Sequence, residues 1–234
     1  EAKHAENYRI NSFHLGEGSP KQKFRANMDA IYTLKALENQ NRDATPEEQE
    51  TLANYVGWGG LADTFDAEKT AWAGEYKELK AALTEEEYAA ARASTLNAHY
   101  TSPTVIRAIY EALDGMGFEK GNILEPSMGV GNFFGMLPDS MLGSRLYGVE
   151  LDSITGRIAQ KLYPQAEIKV AGFETTDRRD FYDLAVGNVP FGNYRVSDKP
   201  YDKLGFSIHN YFFAKALDLS LIHISEPTRH AQIS

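Results

Sequence analysis

Apolar residues fall at helical spacing through the first part of the chain and gather into short runs in the second. Residues 1–20 are polar, carry Gly16, Gly18 and Pro20, and read as an irregular lead-in. Over 24–37, Ile31, Leu34 and Leu37 recur on one face and predict a helix. Thr45-Pro46-Glu47-Glu48 is a helix start: Thr45 caps, Pro46 fits the first turn, and Glu48 reaches back to the cap. The glycines of 55–60, Tyr-Val-Gly-Trp-Gly-Gly, end that helix. A second capping box at 84–87 opens an alanine-rich helix through Ala93. Ser102 and Pro103 start another, with Val105, Ile106, Ile109, Tyr110 and Leu113 on one face and Gly115 and Gly117 closing it.

From Asn122 onward the rhythm changes. Strands are expected at 123–124, 146–149, 168–170 and 182–186, with helices near 132–136, over 154–162 and from 211 to 217. Short apolar strands alternating with helices are the pattern of a parallel sheet covered on both faces, so the fold class is α/β. The expected organisation is a helical N-terminal region over 1–96 and an α/β domain over 97–218.

Composition narrows the function. The chain has 234 residues, 42% of them hydrophobic and 24% charged, in the globular range. No apolar run approaches the roughly 20 residues that cross a bilayer, and no signal pattern opens the chain, which points to the cytoplasm. There is no cysteine, which excludes disulfides, thiolate metal sites and a cysteine nucleophile of the kind used to methylate a cytosine ring carbon. The net charge of −9 does not favour phosphate binding, so any basic surface is local or lies in a longer protein. The chain opens at Glu1 without a methionine and reads as an internal piece. Residues 219–234, LSLIHISEPTRHAQIS, are similar to a translated sequencing adapter. The natural sequence is therefore expected to stop near Asp218, the sheet to end after its fourth strand, and the tail to add no native-like strand.

Four places carry chemistry. The first is Glu125-Pro126-Ser127-Met128-Gly129-Val130-Gly131, a glycine turn between the first strand and a helix. Such a turn brings backbone close to a ligand, but dinucleotide-binding proteins share it. Glu150 ends the second strand, about twenty residues on, where a carboxylate accepts from ribose hydroxyls. Phe173 and Glu174 follow the third strand: the ring can pack on an adenine and the carboxylate can accept from its amino group, or Phe173 is simply a buried turn residue. The discriminating stretch is Asn188-Val189-Pro190-Phe191 after the fourth strand. The Asn188 amide oxygen and the Pro190 carbonyl can both accept from one exocyclic amino group, and Phe191 can stack on an extruded base.

With Tyr100-Thr101-Ser102-Pro103 just before the first strand, these motifs in this order resemble the N6-adenine DNA methyltransferase family. The stretch from Asn7 to about Asp218, including YVGWGGL at 55–61, is most similar to the N-terminal part of large methylase–helicase fusion proteins of plasmids, conjugative transposons and phages. The resemblance implies a Rossmann-like S-adenosylmethionine-dependent methyltransferase sheet. It implies S-adenosyl-L-methionine as methyl donor, held by Tyr100, Thr101, Pro103, Glu125, Ser127, Gly129, Gly131, Glu150, Phe173 and Glu174. Asn188, Pro190 and Phe191 would be catalytic. The implied partners are DNA, gripped mainly by regions beyond this stretch, and a helicase region of the same longer chain; no membrane is implied. Two positions depart from the family pattern: Val189 stands where Pro is usual, and Glu125 where Asp is usual. Protein-glutamine and RNA amino-methyltransferases share Asn-x-Pro-aromatic, a docking module without catalysis would tolerate Val189, and an NAD oxidoreductase would share the glycine turn but not 188–191.

Overall fold

The computed structural model describes residues 5–11, 16–95, 101–190 and 195–225. Among the described residues five α-helices precede the sheet. α1 (Pro20–Gln40) begins earlier than its apolar spacing implied, because Ser19 and Gln22 form a capping box and Pro20 occupies the first turn. The Gln22 side chain accepts from the Ser19 N–H at 2.8 Å. The polar lead-in therefore ends at Ser19. α2 (Pro46–Ala53) and α4 (Glu85–Ser94) start on the expected boxes at Thr45 and Thr84. Between them α3 (Ala73–Ala82) was not expected, and its N-terminus has no side-chain cap to announce it. α5 (Pro103–Gly115) buries Ile106, Ile109, Tyr110 and Leu113, the face read from the sequence.

The sheet is built from β1 (Asn122–Glu125), β2 (Arg145–Glu150), β3 (Glu167–Val170), β4 (Tyr182–Gly187) and β5 (Ser220–Ser225). Its order is β3-β2-β1-β4-β5 and every neighbouring pair is parallel. The connecting helices are the single turn α6 (Asn132–Gly135), α7 (Ser153–Leu162) and α8 (Ile208–Leu219). Successive strand residues go to opposite faces: Ile123 and Leu184 join one apolar cluster, Leu124 and Ala185 the other. α7 closes the first face through Ile154, Ile158 and Leu162, and α8 the second through Ile208, Tyr211, Phe212 and Leu219.

β5 corrects the expectation of a sheet that stops after four strands. Residues 220–225 pair with β4 in parallel register, Leu184 opposite Ile222 and Val186 opposite Ile224. The physical reason is local. Once α8 has crossed back over the sheet, the free edge of β4 offers a row of unpaired peptide groups. The sequence over 220–225, Ser-Leu-Ile-His-Ile-Ser, supplies apolar residues, two of them β-branched isoleucines, of the kind such an edge accepts.

The N-terminal helices are continuous with the first face. Phe24, Met28, Ile31 and Leu34 of α1 belong to the same cluster as Ile158 and Leu162 of α7. Polar ties cross the same seam. Arg157 of α7 pairs with Glu38 of α1 at 3.0 Å and with Glu87 of α4, and Lys35 reaches Glu87 at 2.9 Å. The apolar contact dominates, since each buried Leu or Ile contributes ~1.5–3 kcal/mol, whereas partly exposed ion pairs contribute ~0–1 kcal/mol. Among the described residues no helix is long and apolar enough to cross a membrane.

Candidate functional site

The strand order reverses between β1 and β4, and the crevice beyond the carboxyl ends of strands at such a reversal is where open α/β sheets place ligands. A cavity of about 450 Å³ lies there. Its walls come from the turns after β1, β2, β3 and β4, from α8, and from the N-terminal helices.

The turn after β1 is held by its own backbone and by Glu150. Gly129 and Gly131 have φ of 57° and 82°, left-handed values that favour glycine. A Cβ on Gly131 would also stand 2.5 Å from the Tyr163 ring. The Gly129 N–H donates to one Glu150 carboxylate oxygen at 2.8 Å, and the Asp152 N–H donates to the other at 2.8 Å. Glu150 thus ties the first turn to the second while both oxygens keep a further lone pair. Burial pushes its carboxyl up to about 7, against the pull of these backbone donors.

Glu125, the last residue of β1, is 2% exposed, and its Oε2 has no hydrogen-bond partner. Burial, with the nearby Glu150 charge adding to it, raises its carboxyl well above the ordinary range. A buried acid with an unpaired oxygen on a cavity wall is a site for a cation or a hydrogen-bond donor. On the neighbouring strand Asn188, just beyond β4, has a buried Oδ1 that likewise has no partner. Val189 beside it is buried at 3% exposure, and Pro190 reaches the cavity wall.

Phe173 is 3% exposed and stacks at 4.8 Å on Phe212 of α8, so it is both a core residue and a wall of the cavity. Glu174 is exposed at the rim, its carboxylate folded back over Gly172. The structure therefore brings Thr101, Glu125, Ser127, Gly129, Glu150, Phe173, Glu174, Asn188 and Pro190 to one cavity. Gly131 lies behind the turn, packed against Tyr163 and Met128. Pro103 sits in the first turn of α5 and is not among the residues that line the cavity. Tyr100 and Phe191 lie outside the described residues.

Several lining residues escaped the sequence reading. Asp152 caps α7 by accepting from the Thr155 N–H and hydroxyl at 2.8 and 2.6 Å, and both residues face the cavity. The cap pattern was readable; its position on the cavity was not. Leu151 is 71% exposed at the same rim. Tyr55, Gly57, Ala90, Ala93 and Ser94 reach the site from the N-terminal helices, far away in the chain.

No protein-family model matches the chain. Over 209 residues, 87% of its length, it is 28% identical to the defense against restriction protein B of Escherichia phage P1. Over 92 residues, 39% of its length, it is 34% identical to the type II methyltransferase M.CvrRI of Paramecium bursaria Chlorella virus XZ-6E. The matched stretches span 8% of the phage protein and 24% of the viral methyltransferase. Among solved structures, a candidate class I S-adenosylmethionine-dependent methyltransferase of Listeria monocytogenes aligns with 86% of this chain and 71% of its own, at 12% identity and a TM-score of 0.43. That likeness is loose, and the doubly wound architecture rests on the chain's own strand order.

Proposed function

We propose that this chain forms the donor and acceptor site of an S-adenosylmethionine-dependent methyltransferase whose acceptor is the exocyclic amino group of adenine in DNA. The observation that carries the reading is the pair of orphaned polar atoms, Glu125 Oε2 and Asn188 Oδ1, on residues that line one cavity at the sheet's reversal point. Unpaired buried acceptors are costly, and a ligand with donors at both positions removes the cost. S-adenosylmethionine carries an ammonium suited to Glu125 and a ribose diol suited to the remaining lone pairs of Glu150. The similarity to a viral type II methyltransferase supports DNA as acceptor.

When bound, the donor supplies an electrophilic methyl group on a sulfonium. The chain's own residues prepare the acceptor. Asn188 Oδ1 accepts one amino hydrogen of the base and the Pro190 carbonyl the other. Those two bonds draw the nitrogen lone pair out of conjugation with the ring and aim it at the methyl. The amino nitrogen would take up the methyl as the donor's carbon–sulfur bond gives its pair to sulfur, and would then release a proton to water. Val189 keeps the loop packed against the second apolar cluster, in place of the stiffness a proline would bring.

The test is methyl transfer from labelled donor by the full-length protein. Asn188→Ala is expected to abolish transfer while leaving donor affinity within about twofold, because Asn188 touches only the acceptor. Label incorporated into RNA or protein but not DNA would overturn the acceptor, and parent-rate transfer by Asn188→Ala would overturn the site.

A further inference from the structure

The motif at 55–61 finds no place in a donor turn or an acceptor loop, yet the structure carries it to the cavity. Tyr55 and Gly57 line that cavity, together with Ala90, Ala93 and Ser94 of α4. We propose that the 55–61 loop and α4 form a fixed roof over the donor half of the site, with Asn27 as the residue that positions the loop. This rests on the reading of the cavity as a donor site and specifies which part of the chain encloses it.

Four observations carry the inference. The first is the clamp. Asn27 of α1 is fully buried; its Oδ1 accepts from the Val56 N–H at 2.8 Å and its Nδ2 donates to the Gly57 carbonyl at 2.6 Å. One amide thereby fixes two consecutive residues of a loop that has no ladder of its own to satisfy them. The second is the anchor. Trp58 is 1% exposed and meets Phe65 edge-to-face at 5.3 Å, with Phe24 and Tyr55 at 6.2 and 6.4 Å. The loop cannot lift off without exposing that cluster.

The third is placement. α1, α2 and α4 pack against α7, the crossover from β2 to β3, and α4 is tied to it through Glu87 and Arg157. The roof therefore stands on the helix that follows β2, the strand that ends in Glu150, while α8 and Val196 line the same cavity with Asn188. The fourth is room. Ala90 and Ala93 are exposed alanines on α4 that face the cavity, which also holds the unpaired Glu125 Oε2. Larger side chains at these two positions would take up space in that cavity.

Ala90→Leu and Ala93→Leu suit the test because both positions are exposed and leucine is a good helix former, so folding is preserved. The experiment measures binding of S-adenosylhomocysteine, a donor analogue, by calorimetry on the full-length protein, with thermal unfolding as a control. Both variants are expected to bind about tenfold more weakly or worse at unchanged melting temperature, the effect of overfilling a packed site. Asn27→Asp, which sets a carboxylate against the Gly57 carbonyl while keeping the bond from Val56, is expected to weaken binding in molecules that remain folded by near-ultraviolet circular dichroism. Parent protein that fails to bind the analogue would overturn the proposed function itself. A parent that binds, with both leucine variants binding equally well, would overturn the roof alone. Loss of DNA binding with analogue affinity intact would move the roof to the acceptor half and also overturn it.

Discussion

At the scale of single residues, the two orphaned acceptors define what the site asks of a ligand. Burial raises the Glu125 carboxyl well above its ordinary range, so an ammonium that pairs with it draws the group toward its charged form. Donor binding is accordingly expected to release protons near neutral pH, seen as a calorimetric enthalpy that depends on the buffer's ionisation enthalpy. Glu125→Gln should shrink that release and weaken binding by ~1–3 kcal/mol, the worth of a charge-assisted bond. An unchanged proton count in the glutamine variant would show that Glu125 does not meet the donor's charge. Glu150 is a less clean probe than its strand-end position implies. Removing it deletes any ribose contact and also frees the Gly129 and Asp152 N–H groups that order both turns. These roles could not be separated in the sequence, where Glu150 is only an acid at the end of an apolar run.

At the scale of elements, caps and periodicity were legible because they are local. Thr45, Thr84 and Ser102 announce helices through side chains three residues from their partners. The box at Ser19 was equally readable from Ser-x-x-Gln and was obscured by the glycines before it. α3 was not legible: it starts at Trp72 without a cap and buries only Leu79. β5 departs from expectation because an apolar run that follows α8 meets the open edge of β4. Its Ile222 is half-buried against the first cluster. Ile222→Asp should cost ~1–3 kcal/mol in denaturant unfolding, reopen the β4 edge and promote association visible by light scattering. Unchanged stability and a monomeric profile would show that this strand contributes nothing to the fold.

At the scale of the whole molecule, the buried acids of the cavity leave a signature in the dependence of stability on pH. Glu125 and Glu150 both have carboxyls raised above their ordinary value of 4.5 in the folded state, Glu150 to about 7. A raised carboxyl favours folding below the unfolded value, and that contribution is lost as pH rises through the folded one. The melting temperature of ligand-free protein is thus expected to fall between about pH 5 and pH 8, and to fall less in Glu125→Gln or in the presence of donor. A flat profile for the parent would place both acids in a more solvated setting. Glu48 acts in the opposite sense: held at about 2 by Arg42 and its cap, it favours folding above the ordinary value and loses that effect as pH drops through its own. Taken by itself, the sequence determined the helices with caps, the four strands from Asn122 to Gly187, the glycine turn and the Asn188 loop, because each depends on neighbours a few residues away. The tertiary structure alone decided that β4 returns beside β1 and that α4 alanines line the same cavity as a β1 carboxylate. It also decided that Glu125 and Asn188 keep unpaired oxygens on one cavity. Those facts depend on which distant surfaces exclude water together, and desolvation belongs to the assembled chain rather than to any window of it.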